Sequence, residues 1–316
     1  MSMHKLDHPA ADPGPLVSVS ITAFNSERWL PRALDSVLRQ RTNFPIEVVV
    51  GDDHSRDGTV AVARSYEERN PLPIRVLERD KNLGMQRNYY ETFEQCRGKY
   101  IAWLDADDYW TDPEKLAIQV QLMESDPSVS ACGHLVRHVT QEGNLAYVIP
   151  PVAPPGRYEL REIVRHNFVP SPSIMFRNGI HRQLPECYFG LPGLVDWPIL
   201  VLAALSGDIV LLDRMMADSA LTPESAYSTK GALHTDTVDL EFCKCMEGWL
   251  PAQWSRSVRA TRGKLYESMA YTLRKQGDYA GARRAAYMAW RAAAPMDNFG
   301  SKTKALLASV VGPWVS

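Results

Sequence analysis

No run of 18 apolar residues occurs in these 316 residues, so the sequence predicts no membrane-crossing helix. The first fourteen residues, MSMHKLDHPAADPG, lack the apolar stretch of a signal peptide. Neither sign of charge is in excess. With 35 Lys and Arg against 37 Asp and Glu, the net charge of −2 sets up no global field to gather nucleic acid, although a local basic patch stays open. Cysteine is scarce and odd in number, at 96, 132, 187, 243 and 245. Cys243-Lys-Cys245 is too tight for a zinc knuckle without a second pair, and all five are read as reduced thiols of a cytosolic protein. A glycine-rich phosphate loop is also missing: neither G-x-G-x-x-G nor a Walker sequence follows the first strand. What remains is an ordinary globular balance, 45% hydrophobic and 23% charged, long enough for one large domain or a main domain with an appendage.

Strand and helix patterns alternate from residue 16 onward. LVSVSIT (16–22) alternates and is β-branched, which predicts a strand. Ser26 opens a helix in which Leu30, Ala33, Leu34, Val37 and Leu38 share one face. IEVVVGDD (46–53) is a continuous apolar run ending in acids, the pattern of a parallel strand buried on both faces. A helix over DGTVAVARSYEER, a strand at 74–79, a helix over GMQRNYYETFEQC and a strand at 100–105 follow. Four such alternations in about 120 residues predict a doubly wound, mostly parallel α/β sheet flanked by helices. Asp112 and Pro113 start another helix, to about Met123, and VSACGHLVRHV reads as a strand. Four prolines between 150 and 155 mark an extended connector. PSIMFRN and GDIVLLDRMM resume strand character on either side of a helix over DWPILVLAAL. From about 235 only helical patterns remain, with a tetratricopeptide-like hairpin at 265–295.

The acids carry the chemical signal. In an open α/β sheet, ligands bind beyond the carboxyl ends of the strands. Here the first strand ends in Thr22-Ala23-Phe24-Asn25, the second in Asp52-Asp53 and the fourth in Asp105-Ala106-Asp107-Asp108. Carboxylates gathered at one edge repel one another unless something positive joins them. A divalent cation with oxygen ligands, bridging to phosphates, is the natural candidate. Lys81, Asn82 and Arg87 stand on or beside the loop after the third strand, where they could meet phosphate charge.

VSVSITAFNSERWLPRALDSVLRQ, VVVGDDHSRDGT, RDKNLGMQRN and WLDADDYW, in that order and spacing, resemble a family 2 glycosyltransferase, an inverting enzyme of GT-A fold, over roughly residues 16–230. The resemblance implies a GT-A domain (16–234) with a nucleotide-sugar half (16–125) and an acceptor half (126–234); the residue patterns add a disordered tail (1–15) and a helical C-terminal appendage (235–316). It implies that Thr22 and Phe24 line the nucleotide pocket, that Asp53 accepts the N3–H of uracil or thymine, and that Lys81, Asn82 and Arg87 lie near ribose and phosphates. Asp105 would hold ribose or the metal, and Asp107 would bind Mn²⁺ or Mg²⁺ on the diphosphate. Asp196, at a helix start in GLVDWPIL, would be the general base, an anion favoured by its helix terminus. Trp197 and Trp110 would contact the acceptor, although Trp110 reads equally as packing beneath it. The donor would be a UDP- or dTDP-sugar and the acceptor a hydroxyl of a glycan, a lipid-linked glycan or a small natural product.

The sequence departs from the family pattern after the last strand. Ser219, Ala220 and Thr222 stand where Tyr, Arg and His are usual, with Pro223 and Ser225 in register; either His234 or Lys230 substitutes, or the site relies on Asp107 alone, or catalysis is weakened. Bland readings compete elsewhere. Asp108 suits a loop-holding role, Asp112 a helix cap, Trp103 the core, and the histidines 134, 138, 166 and 181 no metal. Arg274, Lys275, Arg283, Arg284 and Arg291 read as a solvated helix face, or else as contacts to an anionic membrane surface helped by the apolar tail ALLASVVGPWVS. Rival functions are a degenerate transferase fold kept as a binding or scaffold partner, and a nucleotidyltransferase, which would want a basic glycine-rich loop that TAFNSERW does not supply. Pairing of chains into a homo-oligomer through the C-terminal helices stays open.

Overall fold

The computed structural model describes residues 14–140, 144–149, 153–191, 193–221 and 231–292. Most of the tail expected at 1–15, part of the proline connector, Thr222, Pro223, Ser225, Lys230 and the apolar end of the chain lie outside the described residues.

The first part of the chain alternates as expected: β1 (Val17–Ala23), α1 (Leu30–Leu38), β2 (Ile46–Asp52), α2 (Thr59–Arg69), β3 (Ile74–Glu78), α3 (Met85–Glu94) and β4 (Tyr100–Asp105). These four strands pair in parallel in the order β3-β2-β1-β4. A short β5 (Asp108–Trp110) and α4 (Lys115–Ser125) lead to β6 (Val129–Val139), β7 (Leu145–Ile149), β8 (Gly156–Tyr158) and α5 (Leu160–Ile163). Then come β9 (Met175–Arg177), α6 (Asp196–Ser206) and β10 (Asp208–Ala220). The sheet continues past β4 as β9-β6-β10-β5, with β9 and β5 antiparallel to their neighbours and β6 and β10 parallel. It is thus parallel in the first half and mixed in the second, with helices on both faces.

Alternation along β2 divides two cores. Val48 and Val50 pack with Leu30, Leu34 and Val37 of α1, whereas Val49 packs with Tyr89 and Phe93 of α3 and with Trp103. Ser18 of β1 sits on this second side and is buried, its Oγ donating to Glu47 Oε1 at 2.6 Å and accepting from Gly98 N at 2.8 Å. Small residues let α3 come close. A Cβ on Gly51 would lie 2.0 Å from Thr92 Oγ1, and the Asn88 amide donates to Gly51 O at 2.9 Å. That close approach sets Tyr89 beneath the strand ends. Trp103 is fully buried against Tyr89 (4.9 Å) and Phe93 (5.1 Å), so Trp103→Ala removes about 3–5 kcal/mol of stability.

The last helices are α7 (Ala232–Trp249), α8 (Ser255–Lys275) and α9 (Tyr279–Ala292). α7 shares the main core: Val238, Phe242, Cys243 and Met246 are buried with α6, and Trp197 meets Phe242 at 5.1 Å. α8 enters that core only by its first half, through Val258 and the Thr261 hydroxyl, which donates to Val164 O at 3.1 Å. Its second half and α9 form a separate small cluster of Ala270, Ala285 and Ala286.

One sequence expectation is corrected here. Cys187 and Cys245 form a disulfide that ties the turn at 186–190 to α7, and only Cys96, Cys132 and Cys243 are buried free thiols. The helix turns Cys243 into the core and Cys245 toward a loop 58 residues away in sequence, which local spacing cannot reveal. The cysteines therefore give no argument for a reducing compartment. No described helix is long and apolar enough to cross a membrane.

Candidate active site

Thr22 lies opposite Gly51 of β2 and opposite Asp105 of β4, so three strands end at one level. Beyond these ends opens a cleft of about 730 Å³. Thr22, Phe24, Asp53, Asn82, Asp105 and Asp107 line it on the parallel side. Asn167, Ser171, Asp196 and Ser219 line it on the other, joined by Thr235 and Asp239 of α7.

Asp53 is fixed by backbone. Its Oδ1 accepts from Leu83 N at 2.6 Å, its Oδ2 from Gly84 N at 3.1 Å, and its carbonyl from Asn82 Nδ2 at 3.1 Å. Gly84, at φ 84°, adopts the left-handed conformation that turns this loop into α3. Phe24, half exposed, also lines the cleft.

Asp105 is saturated with donors. The Tyr89 hydroxyl and Trp103 Nε1 (3.0 Å) donate to its Oδ1, and the Ser171 hydroxyl donates to its Oδ2 at 2.9 Å. Burial lifts its carboxyl above the ordinary value while these three donors pull it back. Asp108 is buried and accepts from Ala220 N at 3.2 Å, tying β5 to the end of β10; this is the loop-holding role its position suggested. Burial, then the charges of Asp107 and Asp105, push its carboxyl well up. Asp107 is half-buried between them and faces the cleft.

Asp196 opens α6, where its Oδ1 accepts from Trp197 N at 2.8 Å. Burial raises its carboxyl, the Asn167 side chain and its backbone partners lower it, and Asp105 raises it again. Withdrawal from water thus opposes the anion that a helix N-terminus favours.

Four other expected residues are placed differently. Lys81 and Arg87 are exposed and do not line the cleft; Arg87 stacks over Phe189 at 4.4 Å and lies 3.9 Å from Glu186. Trp110 is buried, its indole donating to Pro172 O at 3.0 Å with Lys115 Nζ 4.2 Å from its ring, so it offers no surface to an acceptor. Trp197 borders the cleft but is only 2% exposed, with its indole donating to Ile163 O at 2.6 Å and its ring against Phe242. It cannot present a ring face to a sugar. Both tryptophans were read by their sequence neighbours, whereas their rings are claimed by residues 62 and 34 positions away.

Of the substituted segment, Ser219 stays in β10, paired with Asp108 on one side and His138 on the other. His138 borders the cleft, and burial lowers its imidazole to about 4, so it is neutral at physiological pH. His234 is on the first turn of α7 and does not line the cleft. Tyr89, Asn167, Ser171 and Asp239 were not singled out from sequence; each reaches the cleft through long-range packing.

The charge of the cleft is one-sided. Six aspartates line it, at 53, 105, 107, 108, 196 and 239, and no lysine or arginine does among the described residues. No group of three His, Cys, Asp or Glu able to enclose a metal occurs among the described residues. The donor set is nevertheless one a hard cation takes when substrate phosphates and water complete its shell: oxygen only, with Asp107 turned to the cleft and Asp108 destabilised by its acidic neighbours.

A family model described as Glycosyl transferase family 2 matches residues 18–183. An uncharacterized protein of Mycobacterium tuberculosis is 33% identical over 204 residues, covering 64% of this chain and 57% of that one, so the chain spans just over half the length of such relatives. Escherichia coli chondroitin synthase is 30% identical over 131 residues, covering 42% of this chain and 18% of that protein. A mannosyltransferase of Pyrobaculum calidifontis, solved with GDP-Man and Mn²⁺, shares the fold at a TM-score of 0.60 and 18% identity over 94% of this chain and 86% of that one. S. aureus TarS 1–349, solved with UDP-GlcNAc, does so at 0.55 and 18% identity over 85% and 90%. With the model spanning more than half of its length and the α/β sheet matching GT-A neighbours, this chain belongs to glycosyl transferase family 2.

Proposed function

We propose that the chain transfers a sugar from a nucleotide-diphosphate donor, UDP- or dTDP-linked, to a hydroxyl acceptor by single displacement with inversion. One observation carries this: a cleft at the strand ends is lined by six aspartates and no lysine or arginine among the described residues, so an anionic donor needs a cation to enter. Asp107, turned to the cleft, would hold Mn²⁺ or Mg²⁺. A divalent ion bound there neutralises the charge that grows on the departing diphosphate.

The chain's own groups supply the rest. Phe24 stacks on the base, and Asp53, held by two amides, accepts from a pyrimidine N3–H. The neighbours named above bind GDP-Man in one case and UDP-GlcNAc in the other, so base choice rests on Asp53. Asp105, its oxygens engaged by Tyr89, Trp103 and Ser171, acts as a rigid negative post behind the ribose and Asp107. Asp196 takes the acceptor's hydroxyl proton. The acceptor oxygen then bonds to the anomeric carbon as the carbon–phosphate-oxygen bond breaks, its electron pair leaving with the nucleoside diphosphate. A carboxyl raised by burial is a stronger base once ionised. A glycan, lipid-linked glycan or small natural product would enter past Asn167, Thr235 and Asp239.

Thermal-shift measurement with UDP, dTDP, GDP and CMP, each with and without Mn²⁺, tests the reading. Stabilisation by the uracil and thymine nucleotides only with metal, and donor hydrolysis lost in Asp107→Ala, are the expected results. A purine preference would remove the role given to Asp53, and hydrolysis surviving in the variant would remove that of Asp107.

A further inference from the structure

α9 is built inside out. Its inward face consists of Gly281, Ala282, Ala285, Ala286, Ala289 and Ala292, all buried. Its large apolar side chains point outward: Tyr279 and Trp290 are 40% exposed and Tyr287 49%. Positions 279, 283, 287 and 290 follow helical spacing, so the three rings lie along one stripe with Arg283 among them. Arg284 and Arg291 flank it, both exposed, and no acid occurs in the helix. Tyr287 and Trp290 stack on each other at 6.2 Å. A surface helix normally turns its bulky apolar residues inward; the alanine face satisfies packing against α8, which leaves the aromatic face without an intramolecular purpose among the described residues.

The neighbouring helix adds charge of the same sign. Residues 255–292 hold nine Lys and Arg against Glu267 and Asp278, although the whole chain carries a net charge of −2. Tyr271, 62% exposed near the end of α8, has Lys275 Nζ 4.7 Å from its ring. Tyrosine and tryptophan rings beside arginines suit the headgroup level of a bilayer, where the ring enters the apolar boundary and the cation meets lipid phosphate. A single exposed helix face gives nucleic-acid bases no slot in which to stack, so lipid fits the geometry better than a polynucleotide.

We propose that the exposed face of α9, with the adjoining end of α8, docks peripherally on an anionic membrane surface. This rests on no feature of the cleft. The test is co-sedimentation of the full chain with vesicles of phosphatidylcholine alone and of an equimolar mixture with phosphatidylglycerol. Binding to the mixed vesicles only, released by high salt, is the expected result. The double variant Arg283→Gln/Arg284→Gln weakens it on the order of thirtyfold, and Tyr287→Ala/Trp290→Ala about tenfold. All four side chains are exposed, so both variants keep the wild-type melting profile and donor hydrolysis. Equal binding to both vesicles, or variants that bind as wild type does, overturns the proposal. Retention on heparin or single-stranded DNA without vesicle binding assigns the face to another polyanion. A dimer dissolved by the variants, again without vesicle binding, assigns it to a second copy of the chain.

Discussion

Six aspartates line the cleft without a lysine or arginine among the described residues, while residues 255–292 carry nine basic residues against two acids. The two regions differ in construction as well as sign. In the cleft the carboxyl groups are held by Leu83, Gly84, Tyr89, Ser171 and Ala220, which fix their positions, while burial makes the charges of Asp105, Asp108 and Asp196 costly without a cation. On the hairpin eight of the nine cations stand on an exposed helix surface, screened by salt, and only Arg262 is drawn in, ion-paired with Glu247 at 2.6 Å. Fixed, partly desolvated charge suits a small ligand that must be oriented. Loose surface charge suits a broad partner. A net charge near zero conceals both.

The largest way to break this contrast is to remove the base. Asp196→Asn should lower kcat by about 10²–10⁴-fold with donor affinity unchanged, since the substitution removes proton acceptance only; steady-state kinetics with nucleotide titration separates the two. Burial raises Asp196, so the acid limb of the kcat profile should lie above the ordinary aspartate range, with activity lost as pH falls through it, and the variant should lack that limb. Next, Asp107→Ala should cost on the order of 10³-fold and abolish the stimulation by Mn²⁺, whereas Arg283→Gln/Arg284→Gln leaves turnover in solution unchanged. Smaller still, Asp53→Ala strips an acceptor from two loop amides and should destabilise the fold by about 1–3 kcal/mol while weakening UDP binding; chemical denaturation and titration calorimetry read each.

A change with no expected effect on catalysis concerns a buried cation outside the cleft. Lys115 is fully buried against Trp110 with Gln119 Oε1 2.6 Å away, and burial lowers its ammonium to about 7. The unfolded chain keeps that proton to about 10.4. Between these values the unfolded state binds more protons, so this group makes stability rise with pH. The wild type should therefore gain on Lys115→Met by up to about 1.4 kcal/mol per pH unit from pH 7 upward, measured by urea denaturation of both proteins across that range.

The parallel half was readable because both faces of its strands are covered. Such strands appear as apolar runs, and their acids stand at the ends where a ligand site forms. Asp53, Asp105 and Asp107 could be placed on the cleft from their positions at strand ends, and Asp196 only through the family resemblance. Their partners could not, because Ser171 and Asn167 come from a loop with no periodic signal and Tyr89 reads simply as part of a helix stripe. Trp197 was misplaced for a related reason, and of the two readings open for Trp110 packing is the one the structure shows. An aromatic beside a site residue has two faces of the chain open to it, and a distant carbonyl, Pro172 O or Ile163 O, decides between them. The Cys187–Cys245 pair was hidden by the same distance in sequence. On α9 the exposed arginines were legible, but the outward aromatics appeared only once its alanine face was seen packed on α8.

Titration calorimetry of UDP against the protein, with Mn²⁺ and then with a chelator in its place, tests the central claim most directly. An acid-lined cleft that admits a diphosphate only with a cation predicts affinity at least about a hundredfold higher with the metal, a difference of roughly 2.7 kcal/mol. Equal affinity in the two conditions would contradict it.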